Sequence, residues 1–299
     1  MKFIDLFAGI GGFHSGLTKA GMKCVGWCEQ DKYAQQSYRA LYPTDNLWFS
    51  PDVRALNGTE MPYADLWCFG FPCQDCSIAG LKQGMENTRS GLFYEVMRLL
   101  NETKHKPQWL LIENVKNRLS IDNGWGFYGV LSEMDKAGYS IAWRVYNTKD
   151  FGLPQNRERL FIVGHLGNDC PSEVLYRPDQ SEQSIVRLGN LLKTDSFGGN
   201  PQRGRVYSPD GLSPTVTCIK GGGQEPKILL GRNPNVIRKL TPREFWRLQG
   251  FTDQQFETCA KIQSDAQLYK QAGNSVSIPI VYELGKNIVE YHRRLHDSE

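Results

Sequence analysis

The stretch that most constrains the fold is the N-terminal run of residues 3–20. Residues 3–7 predict a short buried strand, residues 8–13 contain three glycines, and the pattern from His14 onward predicts a helix. A strand, a glycine-rich turn and a helix in this order open a nucleotide-binding, doubly wound sheet, because glycines let the backbone approach a ligand at the helix N-terminus. The dinucleotide fingerprint needs a third glycine where His14 stands, so the pattern disfavours a dehydrogenase.

Three carboxylates are candidate ligand groups. Glu29 comes after the strand at 23–28, Asp52 follows a short segment, and Glu113 ends the apolar run 108–112. At the carboxyl edge of such a sheet, Glu29 suits ribose hydroxyls and Asp52 suits an amino group of adenine. The alternatives are a helix N-cap for Glu29, a turn cap for Asp52 and a loop carboxylate for Glu113.

A cysteine follows another apolar run, residues 64–69, through Gly70 and Pro72. A strand that runs into a loop presents Cys73 instead of burying it, because Pro72 stiffens the chain there. The alternatives are a buried structural thiol and a redox pair with Cys76. A zinc site that adds Cys24 and Cys28 is disfavoured, since an extended chain separates those two by roughly 13 Å, and we expect no metal.

Composition sets broad limits on the protein class. The 299 residues suit two domains, and the net charge of +3 permits a polyanionic partner. We find no signal-peptide pattern and no apolar run long enough to span a membrane, which predicts an intracellular protein with reduced thiols and no membrane partner.

The composition and hydrophobic pattern of the chain change after about residue 168. Residues 168–237 lack long apolar strands and are rich in Gly, Pro, Ser and Asn, although the alternation at 215–219 favours a strand. We predict an α/β fold with a Rossmann-like, doubly wound sheet and a smaller, loop-rich second domain. The expected division is 1–178, completed by 271–299, and 179–270.

Six motifs in order carry a family resemblance. The chain resembles the bacterial type of DNA cytosine-5 methyltransferase in its motifs Asp5 to Phe13, Gly70 to Gln74, Glu113 to Val115, Gln155 to Arg159, Arg238 to Gly250 and Gly273 to Val276. The resemblance covers nearly the whole chain and thins over 168–237. It implies an S-adenosyl-L-methionine-dependent methyltransferase fold whose second domain recognises the DNA target.

The resemblance also implies roles for individual residues. Cys73 is the thiolate that attacks carbon 6 of a flipped-out cytosine, Glu113 holds and protonates ring nitrogen 3, and Arg159 with Arg157 steadies the base and the active-site loop. The residues implied to hold S-adenosyl-L-methionine are Phe7, Gly9, Ile10, Gly11, Gly12, Glu29, Gln30, Asp52, Val53, Phe71, Leu92, Asn274 and Ser275.

A third set is implied to contact double-stranded DNA in a short recognition site. It consists of Gln74, Ala79, Gln202, Arg203, Arg205, Thr215, Gly222 and Gly223. Arg205 is the expected reader of a guanine, and Gln202 or Ala79 is the expected filler of the gap left by the flipped base. By the same resemblance we expect a cytoplasmic monomer that associates with the nucleoid while it acts, with a cognate restriction endonuclease as a candidate partner.

The sequence leaves three alternative functions open. A tRNA cytosine-5 methyltransferase of the same family keeps the chemistry, although its Cys-Phe-Thr signature is absent from the recognition region. A catalytically idle DNA-binding homologue and a thiol oxidoreductase that uses Cys73 and Cys76 are the others. The chain departs from the family pattern at Cys76 and at Gln30, where an aromatic residue is usual.

Overall fold

The structure is a computed structural model that describes residues 1–72, 91–192, 201–219, 223–231 and 236–296. The strands are β1 Lys2–Leu6, β2 Lys23–Cys28, β3 Trp48–Ser50, β4 Leu66–Phe69, β5 Trp109–Val115, β6 Tyr139–Asn147, β7 Gln155–Asn156, β8 Glu158–Leu166, β9 Arg187–Asn190, β10 Arg205–Tyr207, β11 Ser213–Pro214, β12 Lys227–Leu229 and β13 Ile237–Lys239. The α-helices are α1 Gly12–Lys19, α2 Lys32–Leu41, α3 Gly91–Glu102, α4 Trp125–Lys136, α5 Pro242–Gln249, α6 Asp253–Ala260, α7 Asp265–Asn274 and α8 Ile278–His296.

In the described part of the chain, seven strands form the main sheet in the order β3-β2-β1-β4-β5-β8-β6. The strands from β3 to β5 are parallel, and β8 runs antiparallel to both of its neighbours. The order reverses direction at β1, whose next neighbour on the other side is β4. A ligand site is expected outside the carboxyl ends of the strands at such a point. The predicted doubly wound α/β sheet is confirmed.

The central strands are apolar because both faces of the sheet are covered. All four residues of β4 are buried, as parallel strands between helical layers require. One face packs in a cluster with α3 and α4, and the other packs with α1 and α8. The side chains available to a ligand are therefore those at or beyond the ends of the strands.

The first and last helices pack together and close the main unit. Gly16 of α1 faces Val281 of α8, and a Cβ built at Gly16 would lie 2.5 Å from Val281 Cγ1. Leu17 and Leu284 are fully buried in the same cluster. The two ends of the chain thus contribute to one core.

A smaller sheet has the strand order β13-β12-β10-β9. Helices α5, α6 and α7 follow it, and their core includes Trp246, Leu268 and Val216 together with Ile10 of the main unit. The predicted start of α5 is confirmed, because Thr241 and Glu244 form a reciprocal capping box around Pro242.

The sequence reading was wrong on two elements of this region. Residues 253–274 form two helices that were not predicted. The predicted strand at 215–219 is not a strand, because Val216 N–H donates to the Gln155 side chain and Thr215 Oγ1 donates to the Asn156 carbonyl. The division of the chain at 178/179 and 270/271 stays a prediction.

Within the described residues, no helix is both long enough and apolar enough to cross a bilayer.

Candidate active site

A cavity of about 540 Å³ opens at the carboxyl ends of β1, β2 and β4. Its volume lies in the range of small-molecule sites, about 300–1,000 Å³. The residues that line it are Phe7, Gly9, Ile10, Cys28, Glu29, Gln30, Asp31, Ala34, Pro51, Asp52, Val53, Gly70, Pro72, Leu92, Cys218, Lys270, Gln271 and Asn274. Elements from both ends of the chain therefore form one site.

The loop between β1 and α1 forms one wall of the cavity. Phe7 has φ 55°, a left-handed conformation that costs energy for a residue with a side chain. Gly9 N–H donates to Glu29 Oε2 at 2.8 Å, and Asp31 N–H donates to Glu29 Oε1 at 2.7 Å. The Glu29 carboxylate thus fixes the loop and the start of α2 while it faces the cavity.

The electrostatic setting of Glu29 is unusual. Burial raises the pKa of this carboxyl, and the N–H donors of Asp31 and Gly9 partly oppose that shift. Burial also raises the pKa of Asp5, with a further contribution from Glu29. The two acids lie at the same sheet edge, where ionised forms repel one another.

An aromatic cluster supports the loop from below. The Tyr42 hydroxyl lies 2.8 Å from the Gly11 carbonyl and 3.2 Å from the Ile10 carbonyl, and it contacts Ser15 Oγ at 2.7 Å. A Cβ built at Gly11, where φ is 79°, would lie 2.2 Å from the Tyr42 ring. Gly11 is therefore required both for the turn and for the close approach of Tyr42.

His14 belongs to the same cluster, at the place of the missing third glycine. Its ring stacks on Tyr42 with centroids 3.9 Å apart, and its Nδ1 lies 2.7 Å from the Tyr38 hydroxyl. Burial lowers the pKa of His14 to about 4, so the ring is neutral at pH 7. His14 is a buried support residue that does not line the cavity.

The opposite wall joins α2 to α7. Lys270 Nζ forms an ion pair with Asp31, the N-cap of α2, and both side chains line the cavity. Gln271 Nε2 donates to the Tyr33 carbonyl at 3.1 Å. Asp52 also lines the cavity, and its carboxylate caps the following turn and forms a hydrogen-bonded ion pair with Arg54.

The predicted cofactor residues fall into two groups. Nine of them line the cavity: Phe7, Gly9, Ile10, Glu29, Gln30, Asp52, Val53, Leu92 and Asn274. The other four, Gly11, Gly12, Phe71 and Ser275, lie behind the lining. The sequence reading missed Asp31, Lys270 and Gln271, although Asp31 in front of a helical pattern was a visible N-cap signal.

Glu113 and Arg159 form an ion pair beside the cavity. Arg159 Nε lies 3.0 Å from Glu113 Oε1, and the two side chains are 15% and 16% exposed. Glu113 lies in the last three residues of β5, at the carboxyl end of the strand, where it was predicted. A Cβ built at Gly70 would lie 3.3 Å from Glu113 Oε2, which places this carboxylate against the chain that leads to Pro72.

Arg157 occupies a different environment from Arg159. Its guanidinium is buried and donates to the carbonyls of Val216, Gly273 and Ser275 at 2.9, 3.3 and 2.9 Å. Burial, with a further contribution from Arg159, lowers the pKa of Arg157 to about 9. Its donors therefore hold backbone together and are not aimed into the cavity.

The chain that leads into Cys73 is held by buried contacts. Phe71 packs on Phe93 with ring centroids 5.1 Å apart, and its carbonyl accepts from Asn114 Nδ2 at 3.2 Å. The Arg118 guanidinium lies 5.8 Å from the Phe71 ring centroid. The predicted residues Cys73, Gln74 and Ala79 themselves lie outside the described residues.

Of the predicted DNA-contacting residues, Arg205 lies on the small sheet, and Gln202 and Arg203 form the turn that precedes it. Thr215 follows β11, which pairs with β7 outside that sheet. Gln202 and Arg203 are exposed, Arg205 is half-buried at the start of β10, and Thr215 is half-buried. Lys227 Nζ donates to the carbonyls of Arg203 and Gly223, so it joins the two predicted loops. Gly222 lies outside the described residues.

The arrangement combines two chemical capacities. The cavity offers carboxylates and amide groups to a small ligand with hydroxyl donors or positive charge. The Glu113–Arg159 pair offers a carboxyl group and a guanidinium to a heterocycle beside that ligand. Among the described residues, no three His, Cys, Asp or Glu side chains are grouped as metal ligands.

Comparison with known proteins supplies the family. The model of the C-5 cytosine-specific DNA methylase family matches residues 1–202 and 182–290. The chain is 33% identical to Type II methyltransferase M.HhaI of Haemophilus parahaemolyticus, over 96% of this chain and 94% of that relative. It is 36% identical to Type II methyltransferase M.NgoBI of Neisseria gonorrhoeae, over 94% and 90% of the two chains.

Solved structures support the same fold. The chain is similar to the Dnmt2 methyltransferase of S. pombe, with a TM-score of 0.76 at 18% identity, over 98% of this chain and 99% of that one. It is similar to the methyltransferase EhMeth of Entamoeba histolytica, with a TM-score of 0.74 at 18% identity over 98% of both chains. With a family model that spans most of its length and relatives above 30% identity, the chain belongs to the C-5 cytosine-specific DNA methylase family.

Proposed function

We propose that the protein transfers a methyl group from S-adenosyl-L-methionine to carbon 5 of a cytosine that is flipped out of a short site in double-stranded DNA. The observation that carries this proposal is the Glu113–Arg159 pair, 3.0 Å apart, beside a cavity that Pro72 also lines. A base acceptor site, a ligand cavity and the residue before Cys73 thus meet at one sheet edge.

The cavity residues fit S-adenosyl-L-methionine. Glu29 and Asp52 are acceptors for hydroxyl and amino groups, and the acidic side chains of Glu29, Asp31 and Asp52 favour a ligand with positive charge. We propose that Phe7, Gly9, Ile10, Gln30, Val53, Leu92 and Asn274 complete the contact surface. For Gly11, Gly12, Phe71 and Ser275 we propose a supporting role behind it. When bound, this cofactor supplies an electrophilic methyl group.

The chain's own residues account for the activation of the base. Carbon 5 of cytosine is a poor nucleophile, and addition of the Cys73 thiolate at carbon 6 makes it electron-rich. Glu113 contacts ring nitrogen 3 and supplies a proton as negative charge develops there, while Arg159 keeps Glu113 in place. After carbon 5 is methylated, its proton passes to water and the Cys73–carbon 6 bond breaks. The proton on nitrogen 3 returns to Glu113, which regenerates aromatic 5-methylcytosine, the thiolate and the Glu113 carboxyl group.

Arg157 acts in this scheme as a positioning residue. Its hydrogen bonds join the chain between β7 and β8 to Val216 on one side and to the end of α7 on the other. The base-contacting Arg159 and the cofactor-contacting Asn274 are thereby held in one frame. This proposal replaces the direct contact with the base that the sequence resemblance implied.

We propose that the exposed segment around Arg203 and the half-buried Thr215 face the DNA. The base must leave the duplex to reach Glu113, and a side chain such as Gln202 or Ala79 fills the gap. Arg205 reads a guanine, and Arg203, Gln74, Gly222 and Gly223 contact the backbone or groove edges. Residues 179–270 form the proposed recognition domain.

The test is transfer of radiolabelled methyl groups from S-adenosyl-L-methionine to unmethylated plasmid DNA, with bulk tRNA as a parallel substrate. We expect label in 5-methylcytosine of the plasmid. Cys73→Ser abolishes it, and Cys76→Ser is the matched control that retains it. Label in tRNA alone would indicate that the protein is instead a tRNA cytosine-5 methyltransferase.

A further inference from the structure

Lys227 occupies the centre of the small sheet. It begins β12, which lies between β10 and β13. The residue is paired with Val206 on one side and with Lys239 on the other. It is half-buried, and burial lowers the pKa of its ammonium group.

The ammonium group of Lys227 is committed to backbone. It donates to the carbonyls of Arg203, Gly223 and Glu225, the last two at 3.0 and 3.4 Å. A lysine has three N–H donors and no acceptor, so these contacts use its full capacity. Lys227 therefore differs from an exposed surface lysine, whose N–H donors are available to a DNA phosphate.

The first of the two joined segments is already fixed from its other side. Asn190 Nδ2 donates to the Pro201 carbonyl at 3.0 Å, and Leu191 N–H donates to the Gly204 carbonyl at 2.8 Å. Lys227 holds the same segment from the other side, through the Arg203 carbonyl. The second segment, which ends at Gly223, is connected to the first through the same ammonium group.

We propose that Lys227 is a positioning residue that holds the two DNA-facing segments, 201–205 and 223–225, in a fixed relation and thereby sets the sequence specificity of methylation. The inference rests on the proposed function. Reading a base edge requires a side chain held to within a fraction of an ångström, which a loop reaches only when its backbone is supported. Without the shared ammonium group, the two segments remain joined by the pairing of β10 with β12 but lose the direct link between their backbones, and they tolerate wrong bases.

The control residue is Lys239. It is paired directly with Lys227 in the sheet, it also carries positive charge, and its Nζ contacts the Glu225 side chain at 3.2 Å instead of the loop carbonyls. Lys227→Met and Lys239→Met therefore remove the same charge from neighbouring positions. A difference in sequence specificity between the two variants therefore measures the effect of the contacts between Lys227 and the loop carbonyls.

The experiment uses the full-length protein and a plasmid library with randomised inserts, and methylated cytosines are read by bisulfite sequencing. Wild type defines the recognition site. We expect Lys227→Met to raise methylation at sites with one mismatch, relative to matched sites, by about tenfold, because a mismatch normally costs about 1–3 kcal/mol. Lys239→Met keeps the wild-type ratio.

Two further measurements separate positioning from phosphate binding and from misfolding. A phosphate-binding lysine would lower the slope of log K against log [salt] by about 0.9, whereas Lys227→Met should change it no more than Lys239→Met does. Affinity for S-adenosyl-L-methionine should stay within about twofold of wild type. If Lys227→Met does not fold, Lys227→Gln, which keeps two N–H donors, is measured in its place.

The outcomes are distinct. A wild-type protein that methylates no site in duplex DNA contradicts the proposed function. A wild-type protein with a strict site, together with an unchanged mismatch ratio in the Lys227 variant, contradicts this inference alone. Equal loss of specificity in both lysine variants contradicts it as well, since charge would then be the cause.

Discussion

Arg157 and Arg159 are separated by one residue, yet they have different surroundings. Arg157 is buried and donates to three backbone carbonyls, whereas Arg159 pairs with Glu113 at the edge of the site. An extended chain places both arginines on one side, so the sequence suggested one shared role. The difference arises because Val216 and α7 cover Arg157 from a distant part of the chain.

We predict that substitution of Arg157 lowers stability, whereas substitution of Arg159 lowers catalysis. Arg157→Met leaves three buried carbonyls without donors, and each costs about 1–3 kcal/mol in free energy of unfolding. Arg159→Met leaves the unfolding free energy within about 1 kcal/mol of wild type but lowers kcat. Urea unfolding and single-turnover methylation measure the two effects, and equal destabilisation by both substitutions would contradict the assignment.

Glu113 has a prediction of its own. Glu113→Gln keeps the shape of the side chain but cannot deliver a proton, so kcat should fall about 10²–10⁴-fold. Binding of S-adenosyl-L-methionine should be unchanged. The control is Glu158→Gln, since Glu158 lies 45% exposed in a surface pair with Lys116. If the Glu158 variant loses as much activity as the Glu113 variant, the role given to Glu113 is wrong.

At the scale of elements, the cofactor loop depends on residues that the glycine pattern does not show. The sequence indicated the strand, turn and helix, because each signal is local. It did not indicate that Tyr42, thirty-one residues beyond Gly11, holds the loop carbonyls. The support of the loop therefore could not be predicted from local patterns.

Tyr42→Phe tests this support. The substitution removes one hydroxyl that bonds to Gly11 and Ser15 while the stacked ring remains. A hydrogen bond contributes about 0.5–1.5 kcal/mol, so the Kd for S-adenosyl-L-methionine should rise roughly 2–12-fold. Calorimetric titration measures it, with Tyr33→Phe in α2, the helix that Tyr42 follows, as control. Unchanged affinity in Tyr42→Phe would show that the loop between β1 and α1 keeps its conformation without the Tyr42 hydroxyl.

The C-terminal half shows where element prediction succeeded and failed. Helix α5 was predicted because Thr241, Pro242 and Glu244 give a complete start signal. Helix α6 has the same length and an equally visible capping box, Thr252 with Gln255, but it has no proline in its first turn and its buried apolar side chains are only Phe256 and Cys259. Short helices of this kind are stabilised by tertiary packing more than by their own propensity.

At the scale of the whole molecule, the fold class followed from the order of strands, glycine turns and helices along the chain. The contact between α1 and α8 did not, because it joins residues more than 260 positions apart, such as Gly16 and Val281. The cavity has the same character, since Lys270 and Asn274 reach it from the end of the chain. Long-range packing of this kind leaves no local pattern in the sequence.

Two glycine substitutions test the contact between the first and last helices. Gly16→Ala places a methyl group 2.5 Å from Val281 Cγ1 and 3.1 Å from the Ile278 carbonyl, which should lower the free energy of unfolding by about 1–3 kcal/mol. Gly129→Ala, within α4, meets its nearest atom at 3.8 Å and should raise it by about 0.5–1 kcal/mol through helix propensity. Equal effects in urea unfolding would contradict this account of the interface.

We propose that Cys73 forms a covalent bond with cytosine of duplex DNA. The most direct measurement incubates the protein and S-adenosyl-L-methionine with a duplex in which 5-fluorocytosine replaces cytosine, followed by a denaturing gel. Fluorine at carbon 5 cannot leave as a cation, so the adduct should persist. We predict a stable protein–DNA complex for wild type and Cys76→Ser, and none for Cys73→Ser. Methylation of ordinary duplex DNA without any such complex would contradict the covalent route.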